Sequence, residues 1–289
     1  MTAALSPSPT AAEMAAALED HLRSLGRVMV AYSGGVDSTV VLKAATVALG
    51  AGALGVLADT ESNTEADIAQ ARELAREHGM ALEVIAYSEI AISNYAENPP
   101  NRCFFCKSEL YTRLNALAVE RGFPVVCDGS NADDAGDYRP GLKAVADLRV
   151  RSPLRERGLS KGDVRALARH YGLPNHDKPS SPCLSSRIPY GQQITREKLS
   201  QVAAAEEFLR SLGLREFRCR HHGPVARLEV GEAEMGIVLA QRELIVNHLR
   251  GTGFHWVALD LASFQSGSLN RVLEKGPGLG QPTPGSIEP

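Results

Sequence analysis

No apolar run in this 289-residue chain can cross a membrane: the longest, Val47 to Ala58, is well short of the ~20 residues that a span requires. No charged-then-apolar leader opens the chain, and its five cysteines are too few for a secreted disulfide framework. Both absences lead us to expect a cytoplasmic protein with reduced thiols and no membrane partner. An excess of one charge is missing as well. Lys and Arg total 31 against 34 Asp and Glu, for a net charge of −3, which argues against a global attraction to nucleic acid. A second CxxC is absent, so a four-cysteine zinc module is not expected.

What remains is ordinary for a globular chain, at 44% hydrophobic and 22% charged residues, and long enough for two domains. Apolar runs at Val28–Tyr32, Leu54–Ala58, Leu82–Ile85 and 124–127 read as strands, and helical spacing fills the stretches between them, for example Glu65 to His78 and Lys161 to Tyr171. Strands that alternate with helices of this length predict an α/β fold, a doubly wound parallel sheet. The pattern changes near Pro189-Tyr190-Gly191 to a helix (Thr195 to Leu212), two short strands joined by His221-His222-Gly223-Pro224, a helix (Ala233 to Leu249) and a last strand (His255 to Asp260). This part reads as a smaller α+β domain. The expected division is therefore 1–12 disordered, 13–190 the nucleotide domain, 191–273 the small substrate or oligomerisation domain, and 274–289 a disordered, Gly/Pro-dense tail.

The most informative residues are Ser33-Gly34-Gly35-Val36-Asp37-Ser38, between the first strand and the first helix of the sheet. A strand that turns into a helix through two glycines aims several backbone N–H groups at one point, at the positive end of the helix dipole. Ser33 and Ser38 add hydroxyl donors, and the geometry suits a pyrophosphate. Asp37 would repel a phosphate unless a divalent cation lies between them, which points to Mg²⁺. The alternative is a tight turn with no ligand. The hexapeptide is neither GxxxxGK[ST] nor GxGxxG. It resembles the loop of the PP-loop ATP pyrophosphatases, which split ATP between its α and β phosphates and adenylate an oxygen of the substrate.

Cys103-Phe104-Phe105-Cys106 reads as part of a polar loop just before a helix, and Cys183 also lies in a loop-like stretch. By itself the CxxC could be a redox dithiol, half of a zinc site completed by His176 and Cys183, part of an iron–sulfur ligand set, or two unrelated thiols. Cys127 and Cys219, inside apolar strands, read as small core hydrophobes. Asp133 and Asp134, with Asp137, follow a strand end and suit contact with metal or ribose, or simply a charged turn. Arg218 and Arg220 alternate along one strand and can address one anion, with Arg227 on the next strand, or form a solvated face.

The strings Asn101-Arg102-Cys103-Phe104-Phe105-Cys106-Lys107, Asp128-Gly129-Ser130-Asn131-Ala132-Asp133-Asp134 with Asp137-Tyr138-Arg139-Pro140-Gly141, and Pro182-Cys183-Leu184-Ser185-Ser186-Arg187 resemble the LarE sulfurtransferases, over about residues 15 to 272. The resemblance implies an enzyme that adenylates the carboxylates of a pyridinium mononucleotide and converts them to thiocarboxylates for the nickel-pincer cofactor of lactate racemase. One version of that family sacrifices a lone cysteine, at the position of Cys183. The other holds a 4Fe-4S cluster on three cysteines, here matching Cys103, Cys106 and Cys183. The match implies the cluster version, with ATP, Mg²⁺ and a sulfide donor as partners. It also implies Asp37 and Cys183 as catalytic residues. Arg187, four residues after Cys183, could favour its thiolate or could be a solvated surface arginine. Arg218 and Arg220 would hold a substrate phosphate, Glu206 and Glu229 a divalent metal, and the assembly would be a homo-oligomer, a trimer or hexamer. Other readings are a cluster-dependent tRNA thiolase, a sensor without turnover, and an amide-forming ligase such as an NAD synthetase, which has no use for three thiols.

Overall fold

The computed structural model describes residues 9–136, 141–178, 182–265 and 267–272. Expectations for Asp137-Tyr138-Arg139-Pro140 and for residues 1–8 and 274–289 lie outside them. Contacts divide the chain into two compact units, Met1–Cys183 and Leu184–Pro289. No helix among the described residues is long and apolar enough to cross a membrane.

The first unit contains, in chain order, α1 (Ala11–Leu25), β1 (Val28–Tyr32), α2 (Val36–Leu49), β2 (Ala53–Asp59), α3 (Glu65–Glu77), β3 (Leu82–Ala86), α4 (Ser93–Ala96), α5 (Arg102–Arg121), β4 (Val125–Cys127), α6 (Gly141–Asp147), α7 (Pro153–Glu156) and α8 (Lys161–His170). Helix α1 begins two residues inside the stretch expected to be disordered. Thr10 and Glu13 there form a reciprocal capping box that satisfies the first N–H groups.

The strands form one parallel sheet in the order β3-β2-β1-β4, with Val30 opposite both Gly55 and Cys127. The doubly wound parallel sheet expected from the alternating pattern is therefore present. Side chains alternate across it as the strand period requires. Val28, Val30 and Tyr32 pack with Leu18, Val40 and Leu167 from α1, α2 and α8, while Met29 joins Tyr111, Leu114 and Ala144 from α5 and α6. Each such fully buried aliphatic or aromatic side chain contributes about 1.5–3 kcal/mol. Chain order reverses between β1 and β4, and in an open α/β sheet the crevice beyond the strand C-termini at such a point is where ligands bind. The stretch Gly50 to Gly55 spells GxGxxG, but it leads into β2 through a short 3₁₀ turn and does not open a helix, so it lacks the dinucleotide-binding context.

The second unit contains α9 (Arg196–Ser211), β5 (Phe217–His222), β6 (Val225–Val230), α10 (Met235–Ala240), α11 (Arg242–Gly251) and β7 (Trp256–Leu259). Its sheet runs β5-β6-β7, antiparallel then parallel. Phe217, Cys219 and Leu228 turn one face onto Ala205, Leu209, Ile245 and Leu249. Two local expectations fail here. The helix expected over Ala233 to Leu249 breaks at Gln241 into two pieces. His221 and His222 do not make the hairpin turn: β5 continues through both, and Gly223 with φ +61° turns the chain.

Candidate active site

The glycine turn after β1 is built by local bonds. The Ser33 and Ser38 hydroxyls lie 3.1 Å apart, and Ser38 Oγ also donates to the Gly35 carbonyl at 3.2 Å. Gly34 sits at φ +72°, and a Cβ there would stand 2.8 Å from that of Ala71, so α3 and the backbone together require glycine. From the far end of the unit, the Asn175 amide donates to the Gly34 carbonyl at 3.2 Å and to Thr39 Oγ1 at 3.1 Å, which clamps the turn to α2.

Asp37 occupies the first turn of α2. Its Oδ1 accepts from the Asn131 amide at 3.3 Å and its Oδ2 from Lys161 Nζ at 2.5 Å. A hard, oxygen-rich setting with two hydroxyls beside it fits a Mg²⁺ that arrives with a nucleotide. Asp133 and Asp134 lie close by, with their carboxylates committed to backbone: Asp133 accepts the Lys161 N–H at 2.8 Å and Asp134 that of Asn131 at 2.9 Å.

Ser33, Gly35, Asp37, Ser38, Asn131, Asp133, Asp134 and Lys161 line one cavity of about 630 Å³, within the range of small-molecule sites, and Cys106 and Cys183 line it too. Cys103 and Cys106 do not sit in a loop. Helix α5 starts at Arg102, a turn earlier than expected, so both cysteines ride on its first turns, with Cys103 exposed and Cys106 and Cys183 half-buried. Cys106 Sγ donates to the buried Glu89 carboxylate at 2.9 Å, and Glu89 also accepts from Thr60 and Tyr95 hydroxyls at 3.1 and 3.2 Å. Burial first, then the Glu89 charge and hydrogen bond, then the neighbouring Cys183 and Cys103, push the Cys106 thiol well above its ordinary range.

The thiols are soft donors, the kind that iron or a cluster prefers. Among the described residues, however, no group of three or more His, Cys, Asp or Glu side chains is arranged to hold a metal ion as the chain stands. Glu89→Gln removes the nearby charge and so lowers the Cys106 pKa. At about pH 8 we therefore expect alkylation of Cys106, followed by mass spectrometry, to accelerate roughly threefold per unit of lowering, since the gain in thiolate outweighs its reduced nucleophilicity. An unchanged rate would mean that burial alone sets this thiol.

In the second unit the expected metal ligands are otherwise engaged. Glu206 accepts from Arg187 Nε and Nη2, both at 2.8 Å, and from the Cys219 N–H at 2.9 Å. Glu229 accepts from Arg220 Nε and Nη2 at 2.9 and 2.7 Å and from Arg227 at 2.9 Å. Arginine therefore stands where a divalent cation was expected, because a buried carboxylate needs a charge partner. Arg187, read either as favouring the Cys183 thiolate or as a solvated arginine, is one of those partners. Arg218 and Arg220 do share the polar face of β5. Burial, together with the nearby guanidinium groups of Arg187 and Arg220, lowers the Arg218 pKa to about 10.

Sequence reasoning missed Lys161, Glu89 and Asn175. Glu89 lies just past the C-terminal end of β3, where ligand groups in such sheets gather, and that position was its one signal. Lys161 and Asn175 are respectively 124 and 141 residues from the groups they hold and had no signal.

The NAD synthase family pattern matches residues 11–118. An uncharacterized protein of Synechocystis sp. is 44% identical over 260 residues, 89% of this chain and 97% of that protein. The pyridinium-3,5-bisthiocarboxylic acid mononucleotide synthase of Lactiplantibacillus plantarum is 40% identical over 267 residues, 92% of this chain and 97% of that enzyme. The tRNA-specific 2-thiouridylase MnmA of Xanthobacter autotrophicus is 32% identical over 212 residues, 59% of this chain and 54% of that enzyme. With a match that spans nearly both full lengths, the chain belongs to the LarE-type family of pyridinium-3,5-bisthiocarboxylic acid mononucleotide synthases, ATP-dependent sulfurtransferases of the PP-loop group.

Proposed function

We propose that the protein uses ATP to adenylate the carboxylates of a pyridinium mononucleotide and replaces the adenylate with sulfur, giving the thiocarboxylates of a nickel-pincer nucleotide. One observation carries this reading: the glycine turn with Asp37 and the thiols of Cys106 and Cys183 line the same cavity. A substrate carboxylate oxygen attacks the α-phosphorus, the bond to the bridging oxygen breaks, and pyrophosphate leaves with that electron pair. The turn's N–H groups and the Ser33 and Ser38 hydroxyls offset the charge that develops on the phosphates, and Asp37 would hold a Mg²⁺ that would add to this stabilisation. A sulfur nucleophile then adds to the acyl carbon and AMP departs. Thiolate is needed for that addition, since the thiol is a weak nucleophile.

Cys103, Cys106 and Cys183 are the residues that would hold a 4Fe-4S cluster, which would supply a sulfide carrier renewable from an external sulfide donor. The basic face of β5, with Arg218 and Arg220, suits the substrate's phosphate. Reduced thiols fit a cytoplasmic setting, and a homo-oligomer follows from the family resemblance.

A second reading, tRNA thiolation, has in its favour the similarity to a 2-thiouridylase over 212 residues. The net charge of −3 weighs against it, because RNA binding depends on a basic face. The discriminating experiment purifies the protein without oxygen, counts iron and sulfide, and measures pyrophosphate release with the pyridinium dicarboxylate mononucleotide and with unmodified tRNA. Release with the mononucleotide and formation of a thiocarboxylate support the first reading. Release with tRNA alone overturns it.

A further inference from the structure

We propose that Lys161 is a placeholder cation: it occupies Asp37 until a divalent cation carried by a nucleotide polyphosphate displaces it, and its freed ammonium then turns onto the polyphosphate. The inference rests on the nucleotide reading of the cavity and goes beyond it, since it assigns a positioning role to a residue outside the glycine turn.

Asp37 is the one carboxylate on the turn itself, and both its oxygens are engaged, Oδ2 by Lys161 Nζ at 2.5 Å and Oδ1 by the Asn131 amide at 3.3 Å. The backbone of Lys161 is anchored. Ser160 and Asp163 form a capping box at the start of α8, and the Lys161 N–H donates to Asp133 at 2.8 Å. Its side chain is not anchored in the same way: it is 33% exposed, on a flexible four-carbon stem. An ion pair this open to solvent is weak enough to exchange.

A divalent ion at Asp37 carries twice the charge of an ammonium and prefers hard oxygen, so it wins the carboxylate, and repulsion expels Nζ. Where the ammonium goes is limited by its surroundings. Among the described residues that line the cavity, only Lys107 and Lys161 are cationic, facing Asp67, Glu89, Asp128, Asp133 and Asp134 besides Asp37. The strongest attraction for the freed ammonium is then the polyphosphate, where it would help to stabilise the departing pyrophosphate. In this way the residue compensates Asp37 while the turn is empty of nucleotide and complements the phosphates once it is filled.

The test uses the full-length protein, with Lys161→Met and Lys161→Arg beside the parent. Binding of the α,β-methylene analogue of ATP is measured by calorimetry across a Mg²⁺ series, and pyrophosphate release is followed with ATP and substrate. With the competing cation gone, Lys161→Met should reach half-saturation at a Mg²⁺ concentration lower by roughly three- to fivefold. The same variant should release pyrophosphate about 100-fold more slowly. Opposite shifts in the two readouts are the signature, because a merely structural staple would weaken both when lost. Lys161→Arg keeps the charge and should retain the parent's Mg²⁺ dependence or require more Mg²⁺. If Lys161→Met leaves the Mg²⁺ half-saturation unchanged or raises it while the parent binds the analogue normally, the placeholder role is wrong and the nucleotide reading stands. A parent protein that binds no analogue at any Mg²⁺ concentration overturns the nucleotide reading itself, and the placeholder with it.

Discussion

Replacing Cys183 with alanine should suppress thiocarboxylate formation by roughly 10⁴-fold or more, as expected when a reaction loses its sulfur-bearing group. Pyrophosphate release from ATP and substrate should meanwhile stay within about fivefold of the parent, because the groups that face the phosphates are untouched. The split follows from the site. The glycine turn and Asp37 come from β1 and α2, Cys106 from α5, and Cys183 from the end of the first unit, so on the proposed reading the groups for activation and those for sulfur delivery belong to different segments of one cavity wall. Pyrophosphate release and product mass spectrometry on the same reaction measure both halves. If Cys183→Ala still makes thiocarboxylate at the parental rate, sulfur does not pass through this position.

Cys103→Ala then separates the two chemical versions. If three cysteines share a cluster, Cys103→Ala should abolish both the visible chromophore and multiple turnover. If Cys183 gives up its own sulfur, Cys103→Ala should support a single turnover, with a matching loss of mass at Cys183. Cys103 is exposed and does not line the cavity, so its replacement disturbs the ATP groups least.

The second large effect is expected at Gly129. A Cβ there would stand 2.7 Å from the Ser38 nitrogen, 3.0 Å from its Cα and 3.1 Å from the Asp37 carbonyl carbon. All three are backbone atoms of α2 and cannot rotate away. Gly129→Ala must therefore push the N-terminus of α2 out of place, and with it Asp37 and the donors of the glycine turn. A misplacement of about 1 Å at such a site costs on the order of 100-fold, so ATP affinity and turnover should fall by at least that much. Overpacking of this kind costs about 1–3 kcal/mol of stability, so Tm should fall by only several degrees. Calorimetric ATP binding beside a thermal melt checks the contrast. A variant that binds ATP normally would show that the approach of Gly129 to α2 does not shape the site.

How much of this was legible beforehand depended on how far apart in the chain the interacting groups lie. Strand β1, the glycine turn and the start of α2 are contiguous, and each announces itself through residue type: an apolar run, two glycines, a helical repeat. The parallel sheet followed from alternating periods, because the hydrophobic effect sorts strands and helices by which positions they bury. The start of α5 was misread because Asn98-Pro99-Pro100-Asn101 looks like loop, and the helix begins right after it without a side-chain cap. The break at Gln241 and the continuation of β5 through His221 and His222 were hidden for a related reason. Packing within the second unit overrode weak local preferences, burying His221 in the strand.

The sequence alone therefore determined the fold class, the glycine turn between β1 and α2 and which cysteines are candidates for chemistry, since those depend on short-range pattern and side-chain type. Tertiary structure alone decided that Lys161 neutralises Asp37, that Glu89 meets Cys106, and that Glu206 and Glu229 belong to arginines. A charge buried or half-buried by folding must find an opposite charge or a donor among whatever the fold brings near, and no local pattern records which one that will be.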